Sequence, residues 1–124
     1  MRSSDASRIY QKFFCCGSLW RCGPVFTLPT HVARSDEEAR AQCKAAYDLY
    51  VDTRLYAKKH VYEDIIANGI CLFGSVDTVV EKMRRLHAMG VRHVATLQNF
   101  GALAPERVES SMKLFAQEVM PKIP

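Results

Sequence analysis

Between residues 69 and 121 the chain alternates short apolar runs with amphipathic stretches, and that alternation restricts the possible folds severely. The stretch reads GICLFGSVDTVVEKMRRLHAMGVRHVATLQNFGALAPERVESSMKLFAQEVMP. Ile70-Cys71-Leu72-Phe73 is a continuous apolar run bounded by glycines. A run this short suits a strand buried on both faces, as in parallel sheets. Cys71 within it is expected to be buried and inert. Gly74-Ser75 turns the chain, with Ser75 suited to an N-cap and Asp77 to the first helical turn. Val76, Val79, Val80, Met83 and Leu86 then recur at helical spacing, while Asp77, Glu81, Lys82, Arg84 and Arg85 mark the wet side. Gly90 ends this helix. Residues 91–97 form the next strand, Gln98-Asn99-Phe100-Gly101 leaves it, and Pro105 suits the first position of a final helix. Val108, Met112, Phe115 and Val119 supply that helix with an apolar stripe, and Pro121 stops it.

The preceding residues extend the same rhythm. Residues 24–33, PVFTLPTHVA, have the β-branched and aromatic content of a strand. Pro29 cannot donate a ladder hydrogen bond, so the strand is expected to be split, bulged or at an edge. His31 follows, where a functional role and a hydrogen-bonded or solvated one are both open. Ser35-Asp36-Glu37-Glu38 is a capping box. Beyond it Ala39, Cys43, Ala46, Tyr47, Tyr50 and Val51 line one face of a helix running to about Lys58. The tyrosines read as core rather than as cofactor stackers. Lys58-Lys59-His60 punctuates the chain, and residues 61–68 form a short helical turn closed by Gly69. Residues 1–23 have no readable periodicity, which leaves residues 24–124 as the domain.

Composition narrows the class. A chain of 124 residues admits one domain. Its 48% hydrophobic and 24% charged residues fit a globular protein and argue against disorder. The net charge of +4 is spread along the chain, which gives nucleic-acid binding little support. No apolar stretch approaches the ~20 residues of a membrane helix. Five cysteines without regular spacing do not form a secreted disulfide framework, so a reducing cytoplasm is the simpler expectation. Cys15, Cys16 and Cys22 lack a C-x-x-C spacing, and His31 is their only nearby nitrogen ligand, so packed or free thiols are expected there and no metal.

Strands alternating with helices imply βαβ units and an α/β fold with a parallel sheet. A small doubly wound sheet and a piece of a (β/α)8 barrel both satisfy this. A full barrel takes roughly 250 residues, so this chain could supply only about three of eight units. In either fold the site belongs at the carboxyl ends of the strands. Those ends are Gly74-Ser75, where backbone N–H groups at a helix N-terminus could hold an anion, and Gln98-Asn99-Phe100-Gly101, where amides and a ring could hold a planar polar ligand. Both turns could equally serve only the backbone. His87 and His93 read as structural. No nucleophile–base pair, phosphate-binding loop or dinucleotide fingerprint is present.

Three segments carry a resemblance. They are Leu72-Phe73-Gly74-Ser75-Val76-Asp77-Thr78-Val79, His93-Val94-Ala95-Thr96-Leu97-Gln98-Asn99-Phe100-Gly101, and Ser111-Met112-Lys113-Leu114-Phe115-Ala116-Gln117-Glu118-Val119-Met120-Pro121. In this order and spacing they closely resemble the end of the bacterial luciferase-like flavin-dependent oxidoreductases. The match reaches back through Thr30-His31-Val32-Ala33, to cover residues 24–121. The resemblance implies the C-terminal part of a (β/α)8 TIM barrel and reduced FMN, or in some branches another flavin or deazaflavin, as cofactor. It implies monooxygenase chemistry on a small organic substrate, with no metal. Gly74, Ser75, Gln98 and Asn99 would contact the flavin, and Phe100 and Gly101 the substrate. The N-terminal two-thirds of such a barrel has no counterpart here. The chain is therefore expected to be inactive alone and to need a homo-oligomer or a complementing chain at its open sheet edges. A non-catalytic interaction module and an unrelated small α/β ligand-binding domain are the competing readings.

Overall fold

The computed structural model of the chain describes residues 25–53 and 71–124. Residues 1–23 with their three cysteines, the basic Lys58-Lys59-His60 and the expected turn over 61–68 lie outside the described residues. The described elements run β1 (Val25–Ala33), α1 (Asp36–Asp52), β2 (Leu72–Ser75), α2 (Val76–Ala88), β3 (His93–Leu97) and α3 (Pro105–Leu114). The last helix widens into a π turn over Phe115–Val119 and tightens into a 3-10 turn over Met120–Lys122.

The helices start where their sequences say. Ser35 Oγ accepts the Glu38 N–H at 3.1 Å and caps α1. The capping box closes one residue early, because Glu38 Oε2 accepts the N–H of Arg34 rather than that of Ser35. Ser75 caps α2 through the Thr78 N–H. Pro105 opens α3 with no side-chain cap before it. Pro121, expected to stop this helix, sits inside its final 3-10 turn. The regular α-helix ends earlier, at Leu114.

All strand pairs are parallel, as the alternation predicts, and the sheet order is β2-β1-β3. β1 is a single nine-residue strand at the centre, which corrects the expectation that Pro29 splits it or confines it to an edge. The reason lies in the pairing. Val25 to Pro29 run beside β3, and Thr30 to Ala33 run beside β2. Pro29 thus falls where one ladder ends and the other begins, a position that tolerates a missing N–H. Three consecutive barrel strands would have placed β2 in the middle. Here β1 takes that place.

The two faces of the sheet carry separate cores. Leu28, Val32 and Leu72 pack with Val79, Val80 and Leu86 of α2 and with Leu114 and Val119. On the other face Cys71 and Phe73 pack with Cys43, Ala46, Tyr47 and Val51 of α1, and with Phe100 and Leu103. Helices therefore cover both faces in an α/β/α sandwich. Tyr47 meets Phe73 edge-on at 5.3 Å and Phe100 at 6.0 Å, so the tyrosine face of α1 is core, as its spacing implies. The stripe on α3 is rotated from its expected setting. Ser111, Leu114 and Val119 are buried, while Met112 is 52% exposed.

No helix among the described residues is long and apolar enough to cross a membrane.

Candidate functional site

The carboxyl end of the sheet gathers three polar arrangements, each built by a different pair of elements. The first lies where β2 meets α2. Asp36, in the first turn of α1, reaches across so that its Oδ1 accepts the N–H of Ser75 at 2.6 Å and the hydroxyl of Thr78 at 2.8 Å. The Ser75 N–H bond, assisted by Thr78, holds the Asp36 carboxyl below its ordinary pKa despite some desolvation. A helix N-terminus attracts an anion, and α2 already has one in the chain's own carboxylate. Gly74, at φ +147°, allows this approach. A Cβ there would lie 2.7 Å from Asp36 Oδ1 and 2.8 Å from Thr78 Cγ2.

Lys82 stands beside this junction. Its ammonium donates to the carbonyls of Cys71 at 3.1 Å and Phe73 at 3.3 Å, along the outer edge of β2. Burial lowers the pKa of this amine. A lysine bonded to alternate carbonyls of an edge strand blocks further strand pairing there. Asp36, Glu37, Arg40, Phe73, Gly74, Thr78 and Lys82 enclose a cleft of about 290 Å³. Cys71 lies behind the strand, and burial pushes its thiol up to about 12. A thiol so enclosed and protonated is a poor nucleophile. Cys43 and Cys71 are both buried.

The second arrangement surrounds His31, which lies within β1 and is fully buried. Glu38 Oε1 accepts the amide N–H of Gln42 at 2.9 Å, which turns the Gln42 oxygen toward His31 Nε2, also at 2.9 Å. The ring proton therefore resides on Nε2, and Nδ1 is a lone-pair acceptor, buried and without a hydrogen-bond partner among the described residues. Burial keeps the ring neutral. The Gln42 bond opposes that shift, and the Arg107 charge reinforces it.

The third lies where β3 stops short of β1. Beyond Leu97 no strand among the described residues flanks β1 on that side, and the Val32 N–H donates instead to Ser111 Oγ at 2.9 Å. That hydroxyl donates in turn to Gln98 Oε1 at 3.0 Å. Ser111 and Gln98 continue the ladder with side chains, which explains why α3 turns a serine inward where the apolar stripe pointed to Met112.

The residues expected to form one pocket are thus distributed. Gly74 lines the cleft beside α1, whereas Ser75 is the N-cap of α2 and is not among the lining residues. Gln98 lines a separate groove of about 500 Å³ between α2 and the C-terminal turns. Asn99 is exposed. Phe100 is a buried core ring, 5.5 Å from that of Phe73. Gly101, at φ +59°, lets the chain pass against α1, where a Cβ would lie 2.0 Å from the Ala46 carbonyl. A flavin phosphate at the Gly74–Ser75 turn would face the Asp36 and Glu37 carboxylates and find the Ser75 N–H engaged, so this turn does not fit that group. Among the described residues no three His, Cys, Asp or Glu side chains lie together as a metal site.

Sequence reasoning missed Asp36 as the partner of the β2 turn, and gave Ser111 no hydrogen-bonding role. Their contacts span 39 and 79 residues, and local periodicity carries no signal over such distances.

No family model matches the chain, and no curated protein sequence matches it. A crystal structure of the monooxygenase RslO1 from Streptomyces bottropensis is similar in fold, with a TM-score of 0.76 and 19% sequence identity. The similarity covers 97% of this chain but 40% of that one. At that identity the likeness concerns the fold: the chain folds as a part of a monooxygenase does, and spans less than half of that protein.

Proposed function

We propose that this chain is the C-terminal part of a luciferase-like flavin-dependent monooxygenase acting on a small organic substrate, and that it is inactive alone. The supporting observation is the fold likeness over 97% of the chain to 40% of a monooxygenase. It agrees with the order of the Leu72–Val79, His93–Gly101 and Ser111–Pro121 motifs. Reduced FMN would supply the oxygen chemistry in the completed protein. Because the Gly74–Ser75 turn does not suit the flavin phosphate, the phosphate contacts belong to the complementing part. This chain contributes the Gln98 amide and a rigid wall. The test mixes the chain with the N-terminal part of a luciferase-like monooxygenase and follows NADH-linked oxygen consumption with FMN. Consumption is expected in the mixture and absent from the chain alone. A chain that consumes oxygen by itself, or a mixture that never does, contradicts the proposal.

The sheet order and the helices on both faces favour a second reading, a small α/β domain that binds a ligand without catalysing a reaction. A non-catalytic module assembling through β3 is a further form of it. Ligand binding by the isolated chain with no gain of oxygen consumption on mixing would select this reading.

A further inference from the structure

We propose that Lys82 is a modification site, a nucleophilic amine that takes the acetyl group of a small uncharged thioester entering the cleft between α1, β2 and α2. Its Nζ is held against the outer edge of β2, where it donates to the Cys71 carbonyl at 3.1 Å and the Phe73 carbonyl at 3.3 Å. An ammonium has three N–H donors, whereas a neutral amine has two. The two carbonyls therefore satisfy the neutral form completely. Its lone pair is left on the side away from the strand, toward the cleft that Lys82 lines. That cleft, of about 290 Å³, has Phe73, Gly74 and Thr78 in its wall and is large enough for an acetyl group and the sulfur that carries it.

The surroundings disfavour the charged form. Among the described residues Lys44 pairs with Asp48 at 2.7 Å, Lys113 with Glu109 at 2.6 Å, and Lys122 lies 4.0 Å from Asp77. Lys82 forms no such ion pair with a described carboxylate, and its bonds go to neutral carbonyls. Burial lowers its pKa, the Asp36 charge opposes that shift, and Arg85 reinforces it. Glu37 and Arg40 of α1 also face the cleft, and the Cys71 thiol behind the strand stays protonated. This mixture of charges suits an uncharged donor. The neutral amine attacks the thioester carbonyl carbon; the C–N bond forms, the C–S bond breaks, and the thiolate leaves with the amine proton. The product amide keeps one N–H, so only one of the two β2 carbonyls stays held. Neither flavin nor oxygen takes part, and the inference stands apart from the proposed function.

The test treats the full chain with S-acetyl-N-acetylcysteamine at neutral pH and follows each lysine by peptide mass spectrometry. Lys82 is expected to be acetylated severalfold faster than Lys44, Lys113 and Lys122. Its rate should level off at a lower pH than that of Lys113, a readout that exposure alone would not move. The preference should vanish in urea, and Lys82→Arg should leave the rates at the other three lysines unchanged. The proposal is overturned if Lys82 reacts no faster than the exposed lysines or if its rate rises in parallel with theirs into the alkaline range. A preference that survives in urea also overturns it, because the local sequence and not the cleft would then be the cause.

Discussion

Gly101 is the residue at which a single methyl group would do most damage. Its φ is +59°, and a Cβ would sit 2.0 Å from the Ala46 carbonyl oxygen. Gly101→Ala must shift the α1 backbone or the turn, and should cost more than ~1 kcal/mol in denaturant unfolding, whereas Ala at the exposed Asn99 should cost little. Asp36 is a second such position. Asp36→Ala removes the acceptor for the Ser75 N–H and should cost about 1 kcal/mol, the ordinary loss of a cap, reduced by the exposure of the carboxylate. The Asp36 pKa is lowered in the folded chain from 3.8, so its contribution is present above that value and is lost as pH falls through the folded pKa. His31 sets a different window. Its folded pKa lies below 6.5 because the ring is buried. The unfolded chain therefore binds the proton first, and stability falls as pH drops from 6.5 toward the folded pKa. Urea unfolding between pH 7.5 and 5 should show this slope in the wild type, and His31→Leu should flatten it.

At the scale of elements, the helix starts were legible because capping chemistry is local: Ser35 and Ser75 each find their partner three residues on. The burial of α1 was legible too, since Ala39, Cys43, Ala46, Tyr47 and Val51 obey one period and are all buried. Two elements were misread for one reason, that their neighbours in space are distant in sequence. β1 looked like an edge because Pro29 breaks a ladder, yet its two ladders occupy different halves of the strand. The face of α3 looked like Met112 because apolarity was the only guide. The shortness of β3 instead recruits Ser111 to the Val32 N–H. Ser111→Ala would leave that buried N–H without its acceptor and should cost about 1–3 kcal/mol. Met112→Ala, on the exposed side, should cost under ~0.5 kcal/mol. Equal losses at the two positions would contradict the rotated setting of α3.

For the molecule as a whole, strand–helix alternation was enough to predict a parallel α/β fold, but not the order β2-β1-β3 or the cover on both faces. The two faces are set by Leu72 and Phe73, adjacent residues that point to opposite cores. The expected site was legible as a set of turns at strand ends but not as an assembled pocket. Gly74 faces the Asp36 cleft, Gln98 faces the groove beside α2, and Phe100 fills the core between α1 and the sheet. The expected site residues thus lie on separate faces of the sheet, and the Gly74–Ser75 turn already holds the chain's own Asp36 carboxylate. The most direct measurement is an FMN titration followed by flavin fluorescence, on the chain alone and on the chain mixed with the N-terminal part of a luciferase-like monooxygenase. Fluorescence should remain that of free FMN with the chain alone up to millimolar flavin, and should change saturably in the mixture. Saturable binding by the chain alone, or none in the mixture, would contradict the account.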